Sequence, residues 1–356
     1  MKVRLPLRLL VEITFHYSFN RLNFLFQVIR GLANLPVEQL DIVISTNADD
    51  SKRLDSIRNL CEPLLDKTPW QAPESRNLTI ESYPLLEDPW HLPWCHKHLI
   101  PDRFLANSST YTHFVHLEDD LLLTLDNLLY FDSYSSILRP HRLIPAFQRV
   151  EYNSVKNQLR LLDQQGVANF EARAKTWDGD YAFVNPDYPH MAMFMLDREL
   201  AKEYVQSRSF DRVRSVEVYP AWGLCERASM GLCFEAPPEG YWSRYVIPVN
   251  VKTKRTPSWS WIYHLANNYT GNPRALHGKT PPELQFSPDP HAVDWSPPTR
   301  IENIAWHLGQ LSTRFLKGQK KTGHDLVPPG LCGMCGKLPT EAAPCERPGC
   351  PETIRH

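Results

Sequence analysis

Glycine is scarce in this chain, 15 residues of 356, while proline is abundant at 31. That imbalance predicts many rigid, irregular connections. No charge of either sign prevails: Lys+Arg is 39 and Asp+Glu is 40, for a net charge of -1. A dedicated nucleic-acid binder carries an excess of positive charge, so this balance argues against that class. No apolar run is long enough to cross a bilayer. The leader-like start, Met1–Leu10, is spoiled as a signal-peptide core by Glu12 and the polar alternation after it. The expectation is a cytoplasmic chain, with a peripheral membrane position as the alternative. No internal repeat is visible. What is plentiful is hydrophobic residues, 42% of the chain, which exclude wholesale disorder. Aromatics reach 11%, with 10 Trp, and suit either sugar-stacking surfaces or a core. Asn-x-Ser/Thr triplets start at Asn77, Asn107 and Asn268 and matter only in a secreted context.

The first third alternates between two periods. Val11, Ile13 and Phe15 point one way and Glu12, Thr14 and His16 the other, which predicts a strand. Asn20 is placed to cap a helix carrying Leu22, Leu25, Phe26, Ile29 and Leu32 at helical spacing, closed by Pro36. Strands are predicted at 40–45, 78–83 and 112–117, with helices at 51–65 and 96–106 between them. Strands alternating with helices imply an α/β domain with a mostly parallel, doubly wound sheet. Ligands of such sheets bind beyond the carboxyl ends of the strands. Those ends are His16, Thr46-Asn47 and Glu118-Asp119-Asp120. Further on the alternation fades, with a helix at 125–138, strands at 144–150, 191–196 and 244–251, and helices at 197–206 and 222–232. Trp177-Asp178-Gly179-Asp180-Tyr181 reads as a hairpin, since Asp-Gly is a strong turn signal.

The acidic triplet is the most informative feature. Residues 112–124 form a β-prone run that stops on Glu118, Asp119 and Asp120. Carboxylates suit Mg²⁺ or Mn²⁺, and a site built from one or two of them leaves positions open for substrate phosphates. Asp120 is the first choice for direct metal contact, with Glu118 and Asp119 acting through water or on a ribose hydroxyl. The plainer alternative is a solvated turn that caps a helix.

An alternating βα run ending in such a triplet resembles the glycosyltransferases of the GT-A fold, in which the triplet is often Glu-Asp-Asp. The resemblance spans roughly the first 270 residues in layout. It implies a Rossmann-like sheet with helices on both faces, followed by a mixed acceptor region. It also implies a nucleotide-sugar donor, a glycan or other hydroxyl acceptor, and transfer of a hexosyl or related group. On this resemblance the loop His16–Arg21 meets base and diphosphate, with Arg21 on phosphate. Asn47 reads base or ribose, and His96 and Lys97 also reach phosphate. Trp222-Gly223 leads into a helix whose Glu226 is the candidate general base, although Cys225 stands where a paired acid is usual. His264, among late aromatics, is a candidate additional metal ligand. The ordinary alternatives stay open: a surface arginine, a turn, helix-surface charges, a first-turn helix acid, and a core or surface histidine.

Eight cysteines divide into two groups. Cys61, Cys95, Cys225 and Cys233 are scattered and read as buried thiols. Cys332, Cys335, Cys345 and Cys350 have the short spacings that suit a structural Zn²⁺ in a small Cys-rich C-terminal tail, with disulfides or a reduced tail as alternatives. The expected organisation is therefore a nucleotide-sugar half over 1–130, an acceptor and catalytic half over 131–316, and a tail over 317–356 that serves a protein partner. A second class is a non-catalytic binding or scaffold protein that keeps the fold and docks a partner through the tail. A two-metal phosphoesterase is weaker, because only one strand end is rich in acids.

Overall fold

The computed structural model describes residues 5–66, 75–164, 167–220, 222–272, 275, 278–287 and 289. The tail cysteines Cys332, Cys335, Cys345 and Cys350 lie outside the described residues. The chain is α/β, with mixed sheets and helices, and divides into two compact units. The first comprises Met1–Leu128, Ala192–Ser215 and Leu224–Leu232; the second holds Leu129–Met191, Val216–Gly223 and the described residues from Cys233 onward. The return of two later segments to the first unit was not foreseen, and it carries Glu226 into the unit of the acidic triplet.

In the first unit, β1 (Leu5–Phe15), β2 (Val37–Thr46), β3 (Arg76–Ser82) and β4 (His113–Glu118) join a five-stranded sheet with the strand Met193–Asp197. β1 pairs parallel with β2 and β4, and β2 parallel with β3; Met193–Asp197 pairs antiparallel with β4. β1 is central and buried on both faces. Leu9, Leu10, Val11, Ile13 and Phe15 have no exposure, and neither has Glu12. The alternation read as inside and outside is thus inside on both sides, as expected of a central parallel strand.

Helix α1 (Leu22–Ala33) buries Leu25, Val28, Ile29 and Leu32, one stripe at helical spacing. Each such side chain removed from water contributes about 1.5–3 kcal/mol. Asn20 does not cap it. A 3-10 turn, Phe19–Arg21, precedes the helix, and Arg21 holds the N-cap position with no side-chain cap bond. Helix α2 (Ser51–Asp66) buries Ile57, Cys61 and Leu65 at successive turns. The helix predicted at 96–106 is instead a 3-10 segment, Pro89–His98, followed by a π turn, Ile100–Phe104. Pro93 and Pro101 remove backbone donors there, which prevents a regular α ladder. Helix α3 (Leu125–Leu138) starts at its expected residue. Thr124 Oγ1 accepts from Asn127 N at 3.3 Å, and Asn127 Oδ1 accepts from Thr124 N at 3.0 Å, a reciprocal cap.

The second unit is built of short strands. Thr176–Asp178 and Tyr181–Val184 form the expected hairpin around Gly179, whose φ of 55° favours glycine. Tyr245–Asn250 extends it on one side and pairs parallel with Ile144–Pro145. Gln148–Asn153 pairs antiparallel with Gln158–Leu161 and parallel with Trp261–His264. The single strand expected over 144–150 is therefore two strands in different sheets, split near Ala146. The helix expected at 222–232 is reduced to Leu224–Ala228, in the first unit. No helix among the described residues is long and apolar enough to cross a membrane.

Candidate functional site

The parallel register brings four strand ends to one edge. Phe15 lies opposite Thr46, Thr46 opposite Ser82, and Thr14 opposite Glu118. The loops leaving β1 and β2 are tied together there: Asn47 Oδ1 accepts from Tyr17 N at 2.7 Å. Tyr17 Oη meets Ser56 Oγ at 3.1 Å, and the Arg53 guanidinium lies over the Tyr17 ring. Asn47 thus holds backbone in this structure, closer to the turn role than to reading a base. His16 is half-buried at the end of β1, and Phe19 is 80% exposed in the same loop.

The acidic triplet does not face bulk water. Glu118 is half-buried, and Asp119 and Asp120 are buried. Arg21 is their partner and no ordinary surface arginine. Its Nε donates to Asp119 Oδ2 at 2.8 Å, and its Nη2 donates to Asp119 Oδ1 at 2.6 Å and to Asp120 Oδ2 at 3.0 Å. Burial works against the guanidinium charge, but Asp119 and then Asp120 outweigh it and hold the proton more tightly than usual. The fork-on-carboxylate geometry is the strong form of this contact. Donors and acceptors expected to meet a diphosphate and a cation separately are here bonded to each other.

Glu226 is half-buried in the short helix Leu224–Ala228. The neighbouring Cys225 thiol is pushed well up by burial, then by the Glu226 and Glu118 carboxylates. Cys61 and Cys233 are buried as expected, whereas Cys95 and Cys225 are half-buried. Trp94 Nε1 donates to Leu224 O at 2.8 Å, which anchors this helix to the Pro89–His98 segment.

His96 and Lys97 do not sit where a phosphate would meet them. His96 has no exposure, and Lys97 Nζ lies in a cage of aromatic rings. It stands 4.1 Å from the Tyr204 ring centroid, 4.9 Å from Trp94 and 5.2 Å from Phe210, and bonds Tyr204 Oη. Burial pushes its pKa well down. The helix-surface reading fails for the same reason, because the irregular segment folds these side chains inward.

His264 belongs to the second unit, where it is buried and its Nδ1 meets Glu151 Oε1 at 2.7 Å. Glu151 also accepts from the backbone N–H groups of Asn268, Tyr269 and Thr270, at 3.1, 3.0 and 2.8 Å. The loop after Trp261–His264 is wound around this carboxylate, which fixes the imidazole ring.

One polar cluster escaped the sequence reading. Glu12 and His116 face each other across β1 and β4, with Glu12 Oε2 and His116 Nδ1 2.6 Å apart. His116 Nε2 lies 3.1 Å from Ser229 Oγ, and the His96 ring centre is 4.2 Å from that of His116. Serine, histidine and carboxylate follow one another as in a nucleophile–base relay. Ser229 is only 1% exposed, however, and His116 and Glu12 not at all, so the order serves structure here. The available signal was a glutamate in a strand apolar on both sides of it.

The sequence matches no protein-family model, and no curated protein matches it.

Proposed function

We propose that the chain is a metal-dependent glycosyltransferase of the GT-A type that moves a sugar from a nucleotide-diphosphate donor to an acceptor hydroxyl. The observation that carries this reading is the charge constellation at the carboxyl ends of the parallel strands. Asp119 and Asp120 are held by Arg21 from the β1–α1 loop, with Glu118 beside them. The donor set suits a hard cation: oxygen atoms only, on adjacent residues after a strand. Asp120 would hold Mn²⁺ or Mg²⁺, with Glu118 as a further oxygen donor. Such an ion supplies Lewis-acid stabilisation of the charge that develops on a departing diphosphate. Arg21 is placed to exchange a carboxylate for a phosphate oxygen, a change its planar fork permits. The exposed Phe19 ring offers a stacking face to a base. Glu226, in the same unit as the acidic triplet, is the candidate base for the acceptor hydroxyl.

A binding or scaffold role is the second reading, and one observation favours it. The Arg21 guanidinium already neutralises Asp119 and Asp120, so a positive charge stands where the cation is wanted. Donor turnover with a panel of nucleotide sugars, with and without Mn²⁺, separates the two readings. Asp120→Asn keeps the shape of the pair and is expected to abolish transfer while the protein still melts cooperatively. Near-normal turnover in that variant would remove the metal role. Silence with every donor, together with no heat of binding for nucleoside diphosphates, would favour the scaffold.

A further inference from the structure

The cluster beneath the strand ends has a feature that hydrogen bonding alone does not explain. His96 comes from the Pro89–His98 segment, and its Nδ1 lies 2.6 Å from the carbonyl oxygen of Pro93. A carbonyl only accepts, so the proton sits on Nδ1 and Nε2 keeps its lone pair. Nε2 is buried and has no hydrogen-bond partner. Leaving such an atom unsatisfied costs about 1–3 kcal/mol. His96 belongs to a group of three: one ligand atom from each of Glu12, His96 and His116 lies within 4.8 Å of the others, and all three residues are buried.

Imidazole with Nδ1–H on a backbone carbonyl is the orientation that metal-binding histidines commonly take. Two imidazoles and one carboxylate form a donor set suited to zinc or a neighbouring first-row ion rather than to calcium or magnesium. The three residues also come from three pieces of chain, β1, β4 and the Pro89–His98 segment.

We propose that Glu12, His96 and His116 bind one divalent transition-metal ion of the zinc class, which braces β1 and β4 against the Pro89–His98 segment. The site is structural. It is closed to solvent, and Ser229 Oγ, 3.1 Å from His116 Nε2, holds the far nitrogen of that ring. Glu12 Oε2 and His116 Nδ1 now share a proton at 2.6 Å. Two ligands on a tetrahedral ion with bonds of 2.0–2.1 Å stand about 3.3 Å apart. Binding through these atoms would therefore move them apart by about 0.7 Å and release the shared proton to solvent. The site is independent of the glycosyltransferase reading and does not use Asp119 or Asp120.

The test uses the full chain with Cys332, Cys335, Cys345 and Cys350 replaced by Ser, so that tail thiolates contribute nothing. The protein is refolded with Zn²⁺ or Co²⁺, because a closed site fills as the chain folds, and is then dialysed. One bound ion per chain is expected, with cobalt ligand-field bands but no thiolate charge-transfer band, and a higher melting temperature than the metal-free protein. His96→Gln should weaken zinc binding beyond the roughly 10–100-fold that loss of an outer partner costs, and should abolish the metal-dependent rise in melting temperature. X-ray absorption on the zinc-loaded tail variant, with His96 intact, should show two imidazoles and oxygen donors even if His96→Gln does not fold. A folded tail variant that retains no ion would overturn the proposal. So would binding that survives His96→Gln but is lost in Asp120→Asn, since that would put the ion at the strand ends.

Discussion

Glu12 in the first unit and Glu151 in the second are both fully buried, and each meets Nδ1 of a histidine, at 2.6 Å to His116 and 2.7 Å to His264. Their remaining surroundings differ. Glu151 also accepts three backbone N–H groups from one loop, with both oxygens engaged. Glu12 has Thr14 Oγ1 at 3.3 Å, and a second histidine with an unpartnered nitrogen nearby. A carboxylate ringed by fixed donors clasps a loop and has no capacity left. The same group beside a spare lone pair can take a cation. The comparison teaches that a Glu–His contact carries no meaning until every other atom around it has been placed.

Arg21→Ala gives the largest expected effect. It strips two nearly buried carboxylates of their partner, which should cost about 3–5 kcal/mol in chemical unfolding. If the strand-end acids are a cation site, added Mn²⁺ should restore part of that loss. A stability indifferent to Mn²⁺ would leave Arg21 and the two aspartates as a purely structural lock.

Glu151→Gln comes next, at about 3 kcal/mol. An amide NH₂ would replace one oxygen and confront N–H donors that cannot accept from it. Glu12→Gln should cost about 1 kcal/mol in the metal-free protein, because the amide oxygen still serves His116 and the NH₂ can donate to Thr14. Equal unfolding midpoints for these two variants would erase the contrast between the clasps.

The smallest effect is at the surface of the first unit, where His98 Nε2 lies 3.3 Å from Glu81 Oε2. The bond from His98 is the largest influence holding the Glu81 carboxyl below its ordinary range, and the same bond raises His98. The Glu81 contribution is present above the ordinary carboxylate range and is lost as pH falls through its lowered value. The His98 contribution is present below the ordinary imidazole range and is lost as pH rises through its raised value. The pair is therefore worth most at mildly acidic pH. Both partners are partly exposed, so its value stays below about 1 kcal/mol. Unfolding of His98→Ala and the parent should differ most near pH 5–6 and converge at alkaline and at strongly acidic pH.

Much of the first unit was legible in the sequence. Long elements with a clear period, such as α1, declare themselves, because one stripe must be buried whatever it packs against. The turn at Gly179 was also legible, since its backbone angle demands little more than local chemistry. The acidic strand end could be found, though not its state. That Arg21 reaches Asp119 and Asp120, ninety-eight and ninety-nine positions away, depends on how β1 and β4 are set side by side. His96 shows the opposite failure. Read as a helix residue that reaches phosphate or lies on the surface, it is turned inward because Pro93 and Pro101 break the regular period on which both readings stood.

The sequence by itself determined the α/β alternation and the place of the acids at a strand end, because periodicity and composition act locally along the chain. Only the tertiary structure decided that Glu12 meets His116, that His96 brings a lone pair beside them, and that Glu151 closes on its own loop. Those outcomes are set by strand register and by the packing of irregular segments, which bring together residues that no spacing in the chain connects.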